Sequence, residues 1–396
     1  MTHGLDSARA WVVAVASSLV IGVAFGTVYT FGAFFEAMAD EFDSGLGSTS
    51  IVFGITAFLF FGTGAASGFL ADRWGARPLV WIGGALFAGG LYATSRVDEL
   101  WQGYLTYGVG VGLGGGLFNS PVFAMVTGWF DRHRGIAQGL VATGSGFGTL
   151  ILLPLAERII DGDGWREAYV VLAIIAGVTF AVCGAFLHQP DIEPPPVARD
   201  HLREVLRTPA FRRAALCAML QSGSMLSAFA FLVPFVTDRG VSASTGALLV
   251  GLVGAASIVG RLLLTGVADR TGPIRMLQIS FLFQPVAFLI WLVAGDNVAV
   301  LVLFVVVLGV SYGGFVALIP VMASHLFGVR GIGSVLGWVF MAGGTGGLVA
   351  PPLVGFIADG VDGQGAPILT IAALSATGAI VLLGLRRDPV DLSIAG

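Results

Sequence analysis

Charge is what this sequence has least of. Only 11% of its 396 residues are Asp, Glu, Lys or Arg, against about 25% in soluble globular proteins. With 56% hydrophobic residues and a mean hydropathy of +0.89, that scarcity excludes a soluble enzyme and a disordered or fibrous chain. Lysine is absent: all 20 basic residues are arginine, and they form no basic tract. A net charge of −4 then leaves no electrostatic footprint for nucleic acid. The two cysteines, Cys183 and Cys217, lie in apolar runs without CxxC or ligand spacing. They read as small buried hydrophobes, not as a metal or redox site. Glycine is dense around 108–116, 144–148 and 343–347. No GKS or GKT follows, so these stretches suit close helix packing and not a phosphate loop. No cofactor is expected.

Long apolar runs are what the sequence has in abundance. A membrane-spanning helix takes about 20 mainly apolar residues. Twelve runs qualify, near 11–38, 48–71, 79–95, 101–126, 135–158 and 166–187, then 210–237, 244–268, 275–295, 298–323, 332–357 and 364–385. They do not alternate with period two, which excludes a β-barrel. The first run is too long for a cleavable signal and lacks a small-residue cleavage site. With the N-terminus inside, fifteen arginines fall in cytoplasmic segments and four (Arg96, Arg158, Arg166, Arg239) outside, with Arg261 left over. The positive-inside rule then makes both termini cytoplasmic in an inner-membrane, multi-pass protein.

The two halves repeat. Ala71-Asp72-Arg73-Trp74-Gly75 follows the second run, and Ala268-Asp269-Arg270-Thr271-Gly272 follows the eighth, 197 residues on (268 against 71). Arg134-Gly135-Ile136 opens the fifth run and Arg330-Gly331-Ile332 the eleventh; Pro154 and Pro351 lie late in those same runs. The predicted organisation is a six-helix bundle over 1–187, a cytoplasmic linker over 188–209 and a second bundle over 210–396. The linker carries Pro190, Pro194, Pro195 and Pro196, then an amphipathic stretch from Ala198 to Arg207, and reads as a semi-stiff hinge. Paired bundles around a midplane site are the architecture of alternating-access carriers.

Gly68-Phe69-Leu70-Ala71-Asp72-Arg73-Trp74-Gly75-Ala76-Arg77 closely resembles the signature loop of the major facilitator superfamily, and the weaker copy at Ala268 to Gly272 extends the likeness across the chain. Gly128-Trp129-Phe130-Asp131-Arg132-His133-Arg134-Gly135-Ile136-Ala137-Gln138-Gly139 resembles the loop between spans four and five of the monocarboxylate and oxalate/formate transporter branch. The resemblance implies an all-α fold of twelve membrane helices. It also implies a midmembrane arginine on the eighth span that binds the substrate carboxylate, and Gly260-Arg261 stands in that place. The chain departs from animal members of the branch in having Ser257 where they carry an aspartate, and in lacking an intramembrane lysine.

Arg261 is the one charged residue deep inside a run. Inserting it costs roughly 2.5–3.5 kcal/mol on translocon scales. Gly254, Ser257 and Thr265 share its helix face, and no acid lies one turn away. Its expected partner is therefore a visiting carboxylate, which a guanidinium grips with two hydrogen bonds. The competing reading is a packing arginine bonded to backbone carbonyls, or one that snorkels to the interface. Tyr312, Asn119 and Tyr29, with Ser257, are the candidate donors to the substrate; Phe118, Phe229, Phe231 and Phe315 are candidates for an apolar wall. Each has an alternative as helix-to-helix packing or hydrogen bonding. Asp72, Arg73, Arg134, Asp269 and Arg270 are candidate gating residues at the cytoplasmic edge, where a carboxylate caps a helix or pairs across the bundles. The midmembrane carboxylates and histidines that would carry a proton are missing. Glu36 and Glu157 lie near the outer ends of their runs, so a co-transported proton is expected to travel with the substrate acid.

The expected function is secondary transport of a small, lactate- or pyruvate-like monocarboxylate by a monomer in the bilayer, with a proton. The alternatives are an oxalate/formate-like anion exchanger or an exporter of another small solute. A sugar site would carry more midmembrane Asn, Gln and Trp, and a cationic-drug pump a buried acid. A membrane enzyme would need a nucleophile–base pair or a metal cluster.

Overall fold

A computed structural model describes residues 5–189, 199–328 and 332–385. Within these residues the chain folds into helices and turns, with no strand. Backbone in hydrocarbon must satisfy its own N–H and C=O groups, and a helix does so within one segment. α1 (Ala8–Tyr29) and α2 (Phe31–Glu41) form one path broken at Thr30, whose hydroxyl bonds back to the Thr27 carbonyl at 2.6 Å. α3 (Leu46–Gly62) and α4 (Gly64–Trp74) break likewise at Thr63, bonded to the Leu59 carbonyl at 2.8 Å. α5 (Ala76–Thr94) follows. α6 (Leu100–Gly103) runs through a π-helical stretch, Tyr104–Val111, into α7 (Gly112–Trp129). A π stretch loosens the carbonyl ladder, and here the Tyr107 carbonyl accepts from the Thr56 hydroxyl at 3.4 Å. α8 (Arg134–Asp163) and α9 (Trp165–Phe186) end the first half.

α10 (Arg199–Arg207) is the amphipathic helix expected from the linker. Then come α11 (Pro209–Thr237), α12 (Ala243–Thr271), α13 (Pro273–Ala294), α14 (Val298–Phe327), α15 (Ile332–Gly360) and α16 (Gly365–Leu383). Several starts are fixed by polar caps: Ser7, Thr208 and Ser242 each accept a backbone N–H three residues on, which satisfies donors that a helix leaves bare. Ten helical stretches, from Ala8–Glu41 to Gly365–Leu383, are long and apolar enough to cross a membrane, and Leu46–Gly62 is a shorter apolar helix. α5 falls short because Arg77, Pro78 and four glycines dilute it. Residues 190–198, which hold the linker prolines, and 329–331 lie outside the described residues, as do the side chains of Asp72, Arg134 and Asp269.

The repeated motif has repeated geometry. Gly75 and Gly272 end α4 and α12 with φ of 84° and 88°. Their N–H groups bond the Ala71 and Ala268 carbonyls at 2.8 and 2.9 Å. Only glycine takes that left-handed turn without strain, which is why the motif closes on it in both halves.

Small residues let helices from the two sequence halves touch. α8 meets α12 where Gly146 and Gly254 leave no room for a side chain: a methyl on either would lie under 3 Å from the other's carbonyl oxygen. α3 meets α15 at Gly47 and Gly355, where a methyl on Gly355 would lie 2.8 Å from the Gly47 backbone and one on Gly47 would run into the Phe356 ring. Along that second seam a methyl on Gly54 would sit 3.0 Å from the Leu348 carbonyl and one on Gly62 3.9 Å from Met341, and α4, which continues the path, touches α15 far less than α3 does. The closed end is fastened by Asp359 near the end of α15, whose two carboxylate oxygens accept the Leu46 and Gly47 N–H groups at 2.8 Å each. Those are uncapped donors at the start of α3, so a carboxylate from the opposite half caps the helix. α2 also presses on α11 there, with the Phe35 and Phe231 rings 5.2 Å apart.

Candidate functional site

Arg261 is 5% exposed, late in α12. Gly260 and Gly313 bring the α12 and α14 backbones into contact around it, and its side chain reaches α8. Nη1 donates to the Ala142 carbonyl, and Nη2 donates to Ser145 Oγ at 3.1 Å. Ser145 in turn donates to the same Ala142 carbonyl at 2.8 Å. Nε is buried with no partner.

The sequence points to a guanidinium with no resident acid, the competing reading being a packing arginine bonded to backbone carbonyls; two neutral acceptors hold it here, one of them a backbone carbonyl. Helix-face counting cannot see them because they come from another helix, 119 and 116 residues away. Both acceptors are neutral, so no counter-ion is in place; two of the five guanidinium N–H donors are bonded, and the buried Nε–H has no partner.

Tyr29 and Tyr312 meet across the molecule, their hydroxyls 2.7 Å apart. Tyr29 is the last residue of α1, where the break at Thr30 follows, and Tyr312 lies on α14. Both hydroxyls are within electrostatic reach of Arg261. Phe229 stacks on Tyr29 with ring centroids 4.1 Å apart and planes 5° off parallel, and Phe315 packs on Tyr312 at 6.5 Å. Beside Phe229, residues Met225, Ala228, Leu232, Val253 and Leu308 close a crevice with no room for a water molecule.

The structure thus brings together Arg261, Tyr29, Tyr312, Phe229 and Phe315. Asn119 is buried on α7 with its Oδ1 unpartnered. Ser257 turns its hydroxyl to the Gly254 carbonyl at 2.7 Å, within its own helix. Phe118 packs against Phe87 and Phe180, and Phe231 against Phe35 and Phe235. Arg73 and Arg270 are exposed. Sequence reasoning missed Ala142, which acts through a backbone carbonyl that no residue type announces. It also missed Asp359, whose partners lie more than 300 residues away.

Apolar helices closed at one end, splayed at the other and crossed by a buried cation and paired tyrosines define a multi-pass membrane carrier. The chain belongs to the Major Facilitator Superfamily, whose family model matches residues 17–297. It is 29% identical to human monocarboxylate transporter 11 over 397 residues, covering 96% of this chain and 84% of the relative. It is 27% identical to mouse monocarboxylate transporter 4, covering 97% and 86%, and 27% identical to the MFS transporter asaE of Aspergillus flavus, covering 95% and 88%. The fold is similar to that of a variant of the nucleoside transporter NupG (TM-score 0.78, 13% identity, 95% of this chain and 99% of that one). It is also similar to that of a bacterial homologue of the human lysosomal transporter Spinster (TM-score 0.72, 14% identity, 98% and 96%). The chain is therefore a transporter with monocarboxylate transporters among its relatives.

Proposed function

We propose that this transporter moves a small monocarboxylate of the lactate or pyruvate kind across the inner membrane by alternating access, with a proton travelling as part of the acid. In this reading the chain crosses the bilayer twelve times, the α3–α4 path and α5 completing the count, in two bundles over 1–187 and 210–396 with both termini cytoplasmic. Arginine placement puts the Asp359 end outside, so the described state is closed outward and splayed inward.

The observation that carries the reading is Arg261: a buried, permanently charged side chain held by neutral acceptors and within electrostatic reach of two tyrosine hydroxyls that bond each other. A buried charge without a counter-charge is costly, and an arriving carboxylate supplies one together with two charge-assisted hydrogen bonds. Tyr29 and Tyr312 then exchange their mutual bond for one to the second oxygen or to an α-hydroxyl, and Phe229 and Phe315 flank the short carbon chain. Asp72, Arg73, Arg134, Asp269 and Arg270 are assigned to the cytoplasmic gate by their repeated positions in the sequence. The test is uptake of labelled lactate by proteoliposomes. Arg261→Ala is expected to lower uptake by about two orders of magnitude or more, the scale of losing a buried charged pairing worth about 2–5 kcal/mol. Wild-type uptake by a folded Arg261→Ala protein overturns the reading.

A further inference from the structure

The proton-handling group that midmembrane sequence does not offer has a candidate at the outer end of α8. Glu157 follows Pro154 there and is 3% exposed, and its Oε2 is buried with no hydrogen-bond partner. The charged groups that act on it are both acidic: Asp161 on its own helix and Glu36 on α2. Glu36 in turn faces Asp40 and Asp238, and Asp238 belongs to the α11–α12 turn of the other sequence half. The arginines of this face are engaged elsewhere or point to solvent. Arg166 bonds Glu41 and the Val97 carbonyl. Arg239 reaches the Trp291 and Gly295 carbonyls, and Arg158 is exposed. The neighbouring start of α12 offers only the hydroxyls of Ser242, Ser244 and Thr245, bonded to one another.

We infer that Glu157 is a proton-binding carboxyl that sets the balance of the outer gate: it takes a proton from external water as that face closes and returns it to external water when the face opens. Burying an ionised carboxylate with neither cation nor donor is strongly unfavourable, whereas a carboxylic acid can be buried. Closing the outer end buries Glu157 beside Glu36 and Asp161, and no positive charge acts on it there, so closure and proton uptake are one event. The closed state holds one more proton than the open one. External acid therefore favours closure, and alkali favours opening by up to about tenfold per pH unit for a single proton. The inference rests on the outward-closed assignment above but not on the substrate being a carboxylate.

The experiment reads the gate directly. Gly162→Cys at the outer end of α8 and Ser244→Cys at the start of α12 are both exposed, and a side chain at Gly162 meets nothing within 4 Å. In the full chain with Cys183 and Cys217 replaced by alanine, spin labels at the two sites report the distance between the two halves by pulsed electron resonance. The protein is reconstituted in vesicles and the pH varied. The parent is expected to shift to longer distances as pH rises, Glu157→Gln to stay at the short distance throughout, and Glu157→Asp to keep the response. A parent distribution that ignores pH, or a Glu157→Gln protein that follows pH as the parent does, overturns the inference. Because no substrate is present, the result separates from the uptake assay. A pH-driven gate in a chain that moves no acid supports Glu157 and sinks the carboxylate reading, and the converse sinks Glu157 alone.

Discussion

One hydroxyl shares with a backbone carbonyl the hold on the buried cation. Ser145 Oγ accepts from Arg261 and donates to the Ala142 carbonyl, so under the proposed function a substrate carboxylate has first to displace it. Hydrogen bonds to charged groups contribute about 1.5–3 kcal/mol, part of which returns when the ligand bonds form. Ser145→Ala is thus expected to tighten lactate binding by about tenfold, or roughly 1.4 kcal/mol, in a calorimetric titration. A weaker Kd would make Ser145 a ligand contact instead of a competitor. Much of this cluster was legible beforehand: a charge in an apolar run is conspicuous, and Tyr29 and Tyr312 are two of only six tyrosines. What the sequence hid is the other side of each bond. Ala142 contributes a carbonyl that every residue has, and Ser257, read as a substrate donor, bonds to its own helix because a helical serine has the carbonyl three residues back within reach as a nearer acceptor.

At the scale of elements, the turn between α7 and α8 is held from outside itself. Asp6 accepts the N–H groups of Arg132 and His133 at 3.1 Å each, and His133 Nδ1 lies 3.2 Å away. Burial pushes the Asp6 carboxyl up, but the backbone donors of Arg132, His133 and Asp131 and the His133 ring outweigh it and hold it below the usual carboxylate range. A lowered folded value means that ionised Asp6 stabilises the turn above the unfolded value of about 3.9. The contribution fades as pH falls through the lower folded value. Amide exchange at Arg132 and His133 is expected to accelerate only in that acid range, and Asp6→Asn to accelerate it already at neutral pH. Unchanged exchange in the variant would show the turn to be held by α8 alone. Helix placement was readable because apolar length dictates it, and Gly75 and Gly272 were readable as a repeat. The breaks at Thr30 and Thr63 were not, since a threonine bonded to a carbonyl three or four residues back is ordinary inside a helix and ends one only when packing bends the path there.

For the molecule as a whole, the Asp359 cap is the visible fastening of the closed end. Capping a helix start is worth about 1 kcal/mol, a factor of about five in a two-state balance. Asp359→Ala is expected to shift the ensemble toward the form open at the Asp359 end by that factor, read as a longer distance across the α3–α15 seam; an unmoved distribution would leave closure to the Gly47–Gly355 contact alone. Arg261 adds a catch of another kind, because its bonds run from α12 to α8. Under the proposed function, a return stroke without cargo breaks that grip with no ligand to replace it. A second anion bound for the return would spare the loss, so exchange is expected to outpace net transport.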